Sequence, residues 1–236
     1  MTADFKGIDE ELVKQRFSRS LKTYSANAHV QKHTAEKLIS LLPGKNYNSI
    51  LEIGAGSGLL TELIKKNLVF KKYTAVDIVP ECRQYIDKII PDNIFIPGNI
   101  EKIILKDSYD LIISNAALQW CSNTAEQINR LKESLNQNGV FAAAIFGNSN
   151  FKELKSVLNL PDKMKTSLKG IEETIKLYFD SPIDILKHIK YTGANSLTEY
   201  KFSRTSLRQF ETDYKSKFSK GSQVYITYNP LYILEC

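Results

Sequence analysis

Ser49-Ile50-Leu51-Glu52-Ile53-Gly54-Ala55-Gly56-Ser57-Gly58 is the stretch whose reading decides the fold. Its first half is a short, mostly apolar run and reads as a buried strand. Gly54, Gly56 and Gly58 then let the backbone turn tightly and approach a ligand closely. Leu59 to Asn67 carries apolar residues at helical spacing. A second strand, Tyr73-Thr74-Ala75-Val76-Asp77, ends in a carboxylate 19 residues after Gly58. An acid placed there is suited to accepting both hydroxyls of a ribose, and it is equally placed to cap a helix starting near Pro80. The glycine spacing is G-x-G-x-G, not the G-x-G-x-x-G of dinucleotide folds, and no P-loop lysine follows.

Outward from this unit, strands and helical segments alternate. Pro80 to Lys88 reads as a helix, Asn93 to Pro97 as a third strand and Tyr109 to Ser114 as a fourth, buried on both faces. Thr124 to Leu135 reads as a helix and Gly139 to Phe146 as a fifth strand. This order implies an α/β fold with a doubly wound, mostly parallel sheet, whose ligands sit at the carboxyl ends of the strands. Glu52, Asp77, Asn99 and Asn115 all fall at such ends. Before the sheet, residues 9–42 read as helical, with a break near Ser25 and a stop at Pro43-Gly44. After it, the expected elements are a helix over Phe151 to Val157, a strand over Thr174 to Asp180, helices over Pro182 to Tyr191 and Ser206 to Phe218, and one strand over Gln223 to Leu234, bent at Asn229-Pro230. A final antiparallel pair with helices inserted between its strands would bring the sheet to seven. The expected division is an N-terminal helical cap at 1–44, a ligand-binding core at 45–147, and lid helices with closing strands at 148–236.

Composition narrows the class. The chain has 236 residues, 42% hydrophobic and 25% charged, as expected of a globular protein with one substantial core. Lys and Arg number 32 against 26 Asp and Glu, for a net charge of +6, a mild excess that suits an acidic partner. No zinc finger, RNP-like signature or arginine-rich run points to nucleic acid. No apolar run is long enough to span a membrane, and charges interrupt the N-terminus where a signal peptide would need an apolar stretch. Cys82, Cys121 and Cys236 are scattered without metal-ligand spacing, which points to a reduced, cytoplasmic setting.

The carboxylate of Glu52, at the end of an otherwise apolar strand, demands a partner: a ligand on one reading, a helix cap or local turn on the other. Trp120, the only tryptophan, lies in the loop after the fourth strand and reads either as an active-site wall or as an aromatic capping the core. Cys121 beside it reads as a small apolar residue. Arg19, Tyr24 and Gln31 lie on the N-terminal helices; if those fold over the strand ends, Tyr24 and Gln31 reach the ligand site, and otherwise they mark an exposed amphipathic pair.

The Leu51–Gly58 segment resembles motif I of class I S-adenosylmethionine-dependent methyltransferases, whose fold is Rossmann-like. More specifically, the chain resembles the malonyl-[acyl-carrier protein] O-methyltransferase family. That resemblance is carried by Arg16-Phe17-Ser18-Arg19 with Tyr24, Ala28 and Gln31; by Ser114-Asn115-Ala116-Ala117-Leu118-Gln119-Trp120-Cys121; by Leu186 to Ala194; and by Thr227-Tyr228. It implies methyl transfer from S-adenosylmethionine to a malonyl carboxylate on acyl-carrier protein or coenzyme A, as a step of biotin synthesis, leaving S-adenosylhomocysteine. On this resemblance Gly54, Ala55, Gly56 and Gly58 wrap the cofactor and Glu52 anchors its methionine end. Asp77 and Ile78 take the ribose, Asn99 and Ile100 the adenine, and Asn115 completes the pocket. Tyr24, Gln31, Trp120 and Lys190 are the substrate-side candidates. Lys190, like Lys187 and Arg208, is also a candidate for contact with the acidic carrier, and a monomer without metal is expected. Two departures stand out. Asn99 replaces the acid usual in the family, and the connection from Phe146 to Thr174 is short. The rival readings are another small-carboxylate methyltransferase, resembling trans-aconitate methyltransferase, and a non-catalytic S-adenosylmethionine-binding protein.

Overall fold

The computed structural model describes residues 10–160, 166–193 and 202–236. Two helices, α1 (Glu10–Asn27) and α2 (His29–Leu41), precede β1 (Asn46–Ile53). The break between them falls at Ala28, three residues beyond the expected Ser25. The core continues through α3 (Leu59–Asn67), β2 (Val69–Asp77), a 3-10 turn at Pro80–Cys82, α4 (Arg83–Ile89), β3 (Ile94–Pro97), β4 (Tyr109–Asn115), α5 (Thr124–Lys132) and β5 (Leu135–Phe146). The helix expected to reach Leu135 thus stops at Lys132, and Leu135 opens β5 instead. The remaining elements are α6 (Lys152–Leu158), β6 (Ile171–Glu172), β7 (Ile175–Phe179), α7 (Pro182–Tyr191), α8 (Arg204–Phe218), β8 (Ser219–Lys220), β9 (Gln223–Tyr228) and β10 (Pro230–Glu235).

Seven strands form the main sheet in the order β3-β2-β1-β4-β5-β10-β6. Strands β1 to β5 run parallel, and β10 is antiparallel to both β5 and β6. Leu111, Ile112 and Ile113 of β4 are fully buried because helices cover both faces of the sheet. On one face Leu38 of α2 and Ile64 of α3 pack with Ile50, Leu111 and Ile113. On the other, Ile128 and Leu131 of α5 pack with Leu51, Ile112 and Phe141.

The region after β5 corrects the sequence reading in two respects. The Gln223–Leu234 run is two strands in two sheets, β9 in a second, three-stranded sheet of order β7-β9-β8 and β10 in the main sheet. The expected strand near Thr174 also belongs to that second sheet as β7, while the two-residue β6 takes the edge of the main one. Asn229 is the reason for the switch. Its carbonyl accepts from Gly147 N at 2.7 Å, its Oδ1 from Ser149 N at 3.2 Å, and its Nδ2 donates to the Glu173 carbonyl at 3.0 Å. Pro230, which has no N–H for a ladder, then opens β10. The region built this way has its own core, in which Phe146, Phe151, Ile185, Phe210, Tyr214 and Tyr228 pack together. Side chains cap its helices: Ser181 accepts from Asp184 N at α7, and Ser203 forms a capping box with Ser206 at α8.

Candidate active site

The carboxyl end of β1 turns into the Gly54–Gly58 loop, and the loop is tied to β2. Gly54 N donates to the Val76 carbonyl at 2.8 Å and Gly56 N to Asp77 Oδ2 at 2.8 Å. A side chain on Gly54, which has φ 74°, would place its Cβ 2.2 Å from the Ala117 Cβ. The loop must therefore be glycine there to lie against the segment after β4. At Gly56, with φ 55°, the same Cβ would meet nothing nearer than 3.9 Å, so its missing side chain leaves room for a ligand. Asp77 Oδ1 accepts from Val79 N at 2.8 Å. Burial raises the Asp77 pKa, against the pull of the Val79 and Gly56 amides. The Cys82 thiol donates to the same carboxylate, which leaves part of its acceptor capacity open to a ligand.

A large cavity opens over these strand ends, with an empty volume of about 1210 Å³ that includes solvent at its mouth. Gly54, Ala55, Gly56, Asp77, Ile78, Asn99, Ile100, Asn115, Tyr24 and Trp120 all line it. A smaller cavity of about 350 Å³ adjoins it, lined by Gln31, Gln119, Asn150, Thr192 and Tyr228 among others. Phe17, Tyr24, Ala116 and Trp120 line both and so form the wall they share. Helix α1 thus lies across the strand ends, the arrangement that brings Tyr24 into the site. Burial, with the Asp77 charge adding to it, raises the Tyr24 pKa and keeps the hydroxyl protonated. The Trp120 ring meets Phe17 edge-on, centroids 5.5 Å apart, and its buried Nε1 has no hydrogen-bond partner among the described residues. Gln31 Oε1 and Gln119 Oε1 are buried without partners in the same way. Three orphaned polar atoms around one small cavity are what a polar ligand would satisfy.

Several expected site residues stand elsewhere. Glu52 lines neither cavity: its Oε2 accepts from Thr61 Oγ1 at 2.9 Å and from the Tyr73 hydroxyl, on the α2–α3 side of the sheet. Neither the ligand contact nor the helix cap weighed from the sequence describes this placement. The side chain follows the strand alternation that points Ile50 into the same layer. Burial pushes its pKa up to about 7. Gly58 also lines neither cavity; a Cβ there would lie 2.3 Å from Ile89, so its role is packing. Asn115 borders the large cavity, but its side chain accepts from Thr34 Oγ1 at 2.8 Å and donates to the Gln31 carbonyl at 2.9 Å, pinning α2 to the end of β4. Lys190 lies on the exposed face of α7 and lines neither cavity, so the structure does not bring it to the substrate side. Ala194, the last residue of the Lys-x-x-Gly-Ala segment, lies outside the described residues. Cys121 is buried, and burial pushes its thiol up to about 12, as befits a packing residue.

Two residues that sequence reasoning passed over also belong to this region. His188 on α7 pairs Nε2 with the Tyr228 hydroxyl at 2.7 Å, and burial depresses its pKa to about 4, so the ring is neutral near pH 7. Glu10, in the first turn of α1, lines the large cavity beside Asn99. In sequence, nothing but an acid at a helix start marked Glu10, and nothing marked His188. Among the described residues no cluster of His, Cys, Asp and Glu could hold a metal ion, and no helix is long and apolar enough to cross a membrane.

Comparison with known proteins agrees with this architecture. Residues 51–143 match a family described as methyltransferase domain. A malonyl-[acyl-carrier protein] O-methyltransferase from Chlorobium luteolum is 33% identical, over 95% of this chain and 94% of its own. One from Haemophilus influenzae is 30% identical, over 96% of this chain and 94% of its own. Among solved structures, the YcgJ protein of Bacillus subtilis shares the fold with a TM-score of 0.60 at 14% identity, covering 86% of this chain and 97% of that one.

Proposed function

The chain belongs to the malonyl-[acyl-carrier protein] O-methyltransferase family, and from that premise we propose that it transfers a methyl group from S-adenosylmethionine to the free carboxylate of malonyl-acyl-carrier protein. The products are the malonyl methyl ester and S-adenosylhomocysteine. The observation that carries this reading is the pair of adjoining cavities with Phe17, Tyr24, Ala116 and Trp120 as their common wall. The larger suits the cofactor: it is nucleoside-sized, it has bare backbone at Gly56, and it presents the Asp77 carboxylate as an acceptor for ribose hydroxyls. Asn99 and Ile100 border its adenine end. The smaller cavity suits the malonyl group.

Bound S-adenosylmethionine supplies an electrophilic methyl on a cationic sulfonium. The protein's part is placement. A carboxylate is already ionised at neutral pH, so no general base is needed to create the nucleophile. None of the residues lining the small cavity carries a formal charge; Tyr24, Tyr228, Trp120 and Gln31 offer neutral hydrogen-bonding groups instead. Neutral donors hold a carboxylate without a cation quenching it, and the aromatic walls exclude water while the reacting atoms are brought into line. Asn115 acts one step back by holding Gln31 in place through its carbonyl. Glu52 acts behind the loop, fixing α3 to β1 and β2. On this reading residues 1–44 cap the cofactor, 45–147 bind it and 148–236 close over the acyl group, in a cytoplasmic monomer that meets its carrier transiently. The exposed Lys190 and Lys187 of α7 face such an acidic carrier.

Radiolabelled S-adenosylmethionine tests the proposal, with malonyl-acyl-carrier protein, malonyl-coenzyme A and trans-aconitate offered in parallel. Base-labile label on the malonyl thioesters, preferentially on the carrier protein, is the expected result. Label on trans-aconitate alone, or on none of the three, would overturn it.

A further inference from the structure

Position 99 holds an amide where the family pattern leads one to expect an acid, and the structure shows where a negative charge lies instead. Asn99 Oδ1 is turned inward and accepts from Glu101 N at 2.9 Å, closing the turn after β3. Its Nδ2 points the other way and donates to Glu10 Oε2 at 3.1 Å. The same oxygen accepts from Lys102 Nζ at 2.6 Å. Glu10, Asn99 and Ile100 all line the large cavity and none of them lines the small one. The Glu10 side chain is 35% exposed, so it reaches the cavity without being sealed from a ligand.

An adenine amino group is a donor and requires an acceptor. Asn99 gives its uncharged oxygen to the turn and its Nδ2, a donor, to Glu10, whereas Glu10 offers a charged acceptor whose Oε1 lies outside the Lys102 and Asn99 bonds. We propose that Glu10 of the N-terminal helix supplies the carboxylate acceptor for the exocyclic amino group of the cofactor's adenine, and that Asn99 and Lys102 hold that carboxylate in position. The hydrogen bonds from Lys102 and Asn99 also lower the Glu10 pKa, so the acceptor is ionised across the neutral range. A first-turn acid does favour the helix N-terminus, and an exposed Lys–Glu pair contributes little by itself. Neither effect calls for the Asn99 bond, which crosses 89 residues of sequence.

The placement has a consequence for assembly of the site. Helix α1 also carries Phe17 and Tyr24 of the shared wall, and Thr23 Oγ1 donates to the Tyr191 carbonyl at the end of α7 at 3.2 Å. A cofactor held by Glu10 is therefore held by the same helix that completes the wall shared by the two cavities.

This inference rests on S-adenosylmethionine being the cofactor, and calorimetry on the full chain separates the two claims. S-adenosylhomocysteine is compared with S-inosylhomocysteine, in which a carbonyl replaces the amino group. Glu10→Gln should weaken S-adenosylhomocysteine binding by about 10-fold, as expected for loss of a charge-assisted hydrogen bond. It should weaken the inosyl analogue by less than about 2-fold, shrinking the discrimination between them. Adding Asn99→Asp to Glu10→Gln should restore that discrimination, since a carboxylate then returns to the adenine end. Equal weakening of both ligands, no weakening of either, or failure of the double variant to recover overturns the proposal. Thermal melts of each variant show that the fold is intact. A wild-type chain that binds neither ligand would overturn the cofactor assignment itself, and this inference with it.

Discussion

Around the larger cavity, most of the wall comes from short, contiguous pieces of chain at strand ends: Ile53 to Ser57, Val76 to Val79, Gly98 to Glu101 and Asn115 to Leu118. Around the smaller cavity, Gln31, Gln119, Asn150, Thr192 and Tyr228 arrive from five separate places, and the strand that bears Tyr228 belongs to a different sheet. The first cavity is held by backbone geometry, the second by side-chain packing. Backbone geometry tolerates almost no change where the chain runs close to itself, whereas a packed polar wall loses function one group at a time. The two cavities should therefore break differently.

The largest effect is expected at the loop. Gly54→Ala places a Cβ 2.2 Å from Ala117 at a positive φ, and should cost roughly 4 kcal/mol of stability, read from urea unfolding. Gly56→Ala faces open space and should cost only about 1 kcal/mol, yet reduce S-adenosylhomocysteine affinity at least ~10-fold, because its Cβ occupies the ligand's side. If both variants lost stability equally, the division between a packing glycine and a ligand glycine would fail.

Next come two buried titrations of opposite sign, one behind the glycine loop and one behind Tyr228. The Glu52 carboxyl is pushed from an ordinary 4.5 to about 7. The folded state therefore holds a proton that the unfolded chain has released, so stability falls as pH rises through that window and the full penalty stands above it. Glu52→Gln should gain on the order of 3 kcal/mol relative to wild type between about pH 4.5 and 8. His188 runs the other way: with its pKa depressed from 6.5 to about 4, the unfolded chain binds the extra proton, and stability is lost as pH falls through that range. His188→Gln should flatten an acid-side slope of similar size. Urea midpoints across pH for both variants check the pair, and parallel profiles for variant and wild type would contradict the burial argument.

Tyr24→Phe probes the shared wall. Turnover should fall about 10- to 30-fold, the scale of one lost hydrogen bond to a charged group, while S-adenosylhomocysteine affinity stays within about 3-fold. Unchanged turnover would remove the hydroxyl from the reaction. The smallest effect belongs to Lys190→Glu. It should raise KM for malonyl-acyl-carrier protein about 3-fold and leave malonyl-coenzyme A kinetics alone, since an exposed charge acts on encounter with the carrier rather than on the reacting atoms.

Legibility in the sequence divides along the same line. The parallel sheet was legible because β4 and the carboxyl-terminal halves of β1, β2 and β5 are mostly apolar runs buried by helices on both sides, and the glycine loop because its constraint is local. Helix α7 was legible to the residue, from its Pro182 start and the glycine beyond its end. The two-sheet destiny of Gln223–Leu234 was not, because Asn229 acts through Gly147, Ser149 and Glu173, none of them neighbours in sequence. Glu52 illustrates the finer limit. Strand alternation puts its carboxylate in the Ile50 layer, and only the tertiary structure brings the hydroxyls of Thr61 and Tyr73 to meet it there.

The sequence by itself determined the sheet, the glycine loop and the acid at the end of β2, because spacing along one chain is enough to specify a strand, a turn and a helix. Only the tertiary structure decided that α1 lies across the strand ends, that Tyr24 and Trp120 separate two cavities, that Lys190 stands outside them, and that Glu10 meets Asn99. Those pairings join residues that are far apart along the chain, and such contacts exist only once the apolar faces of the helices have been buried against the sheet.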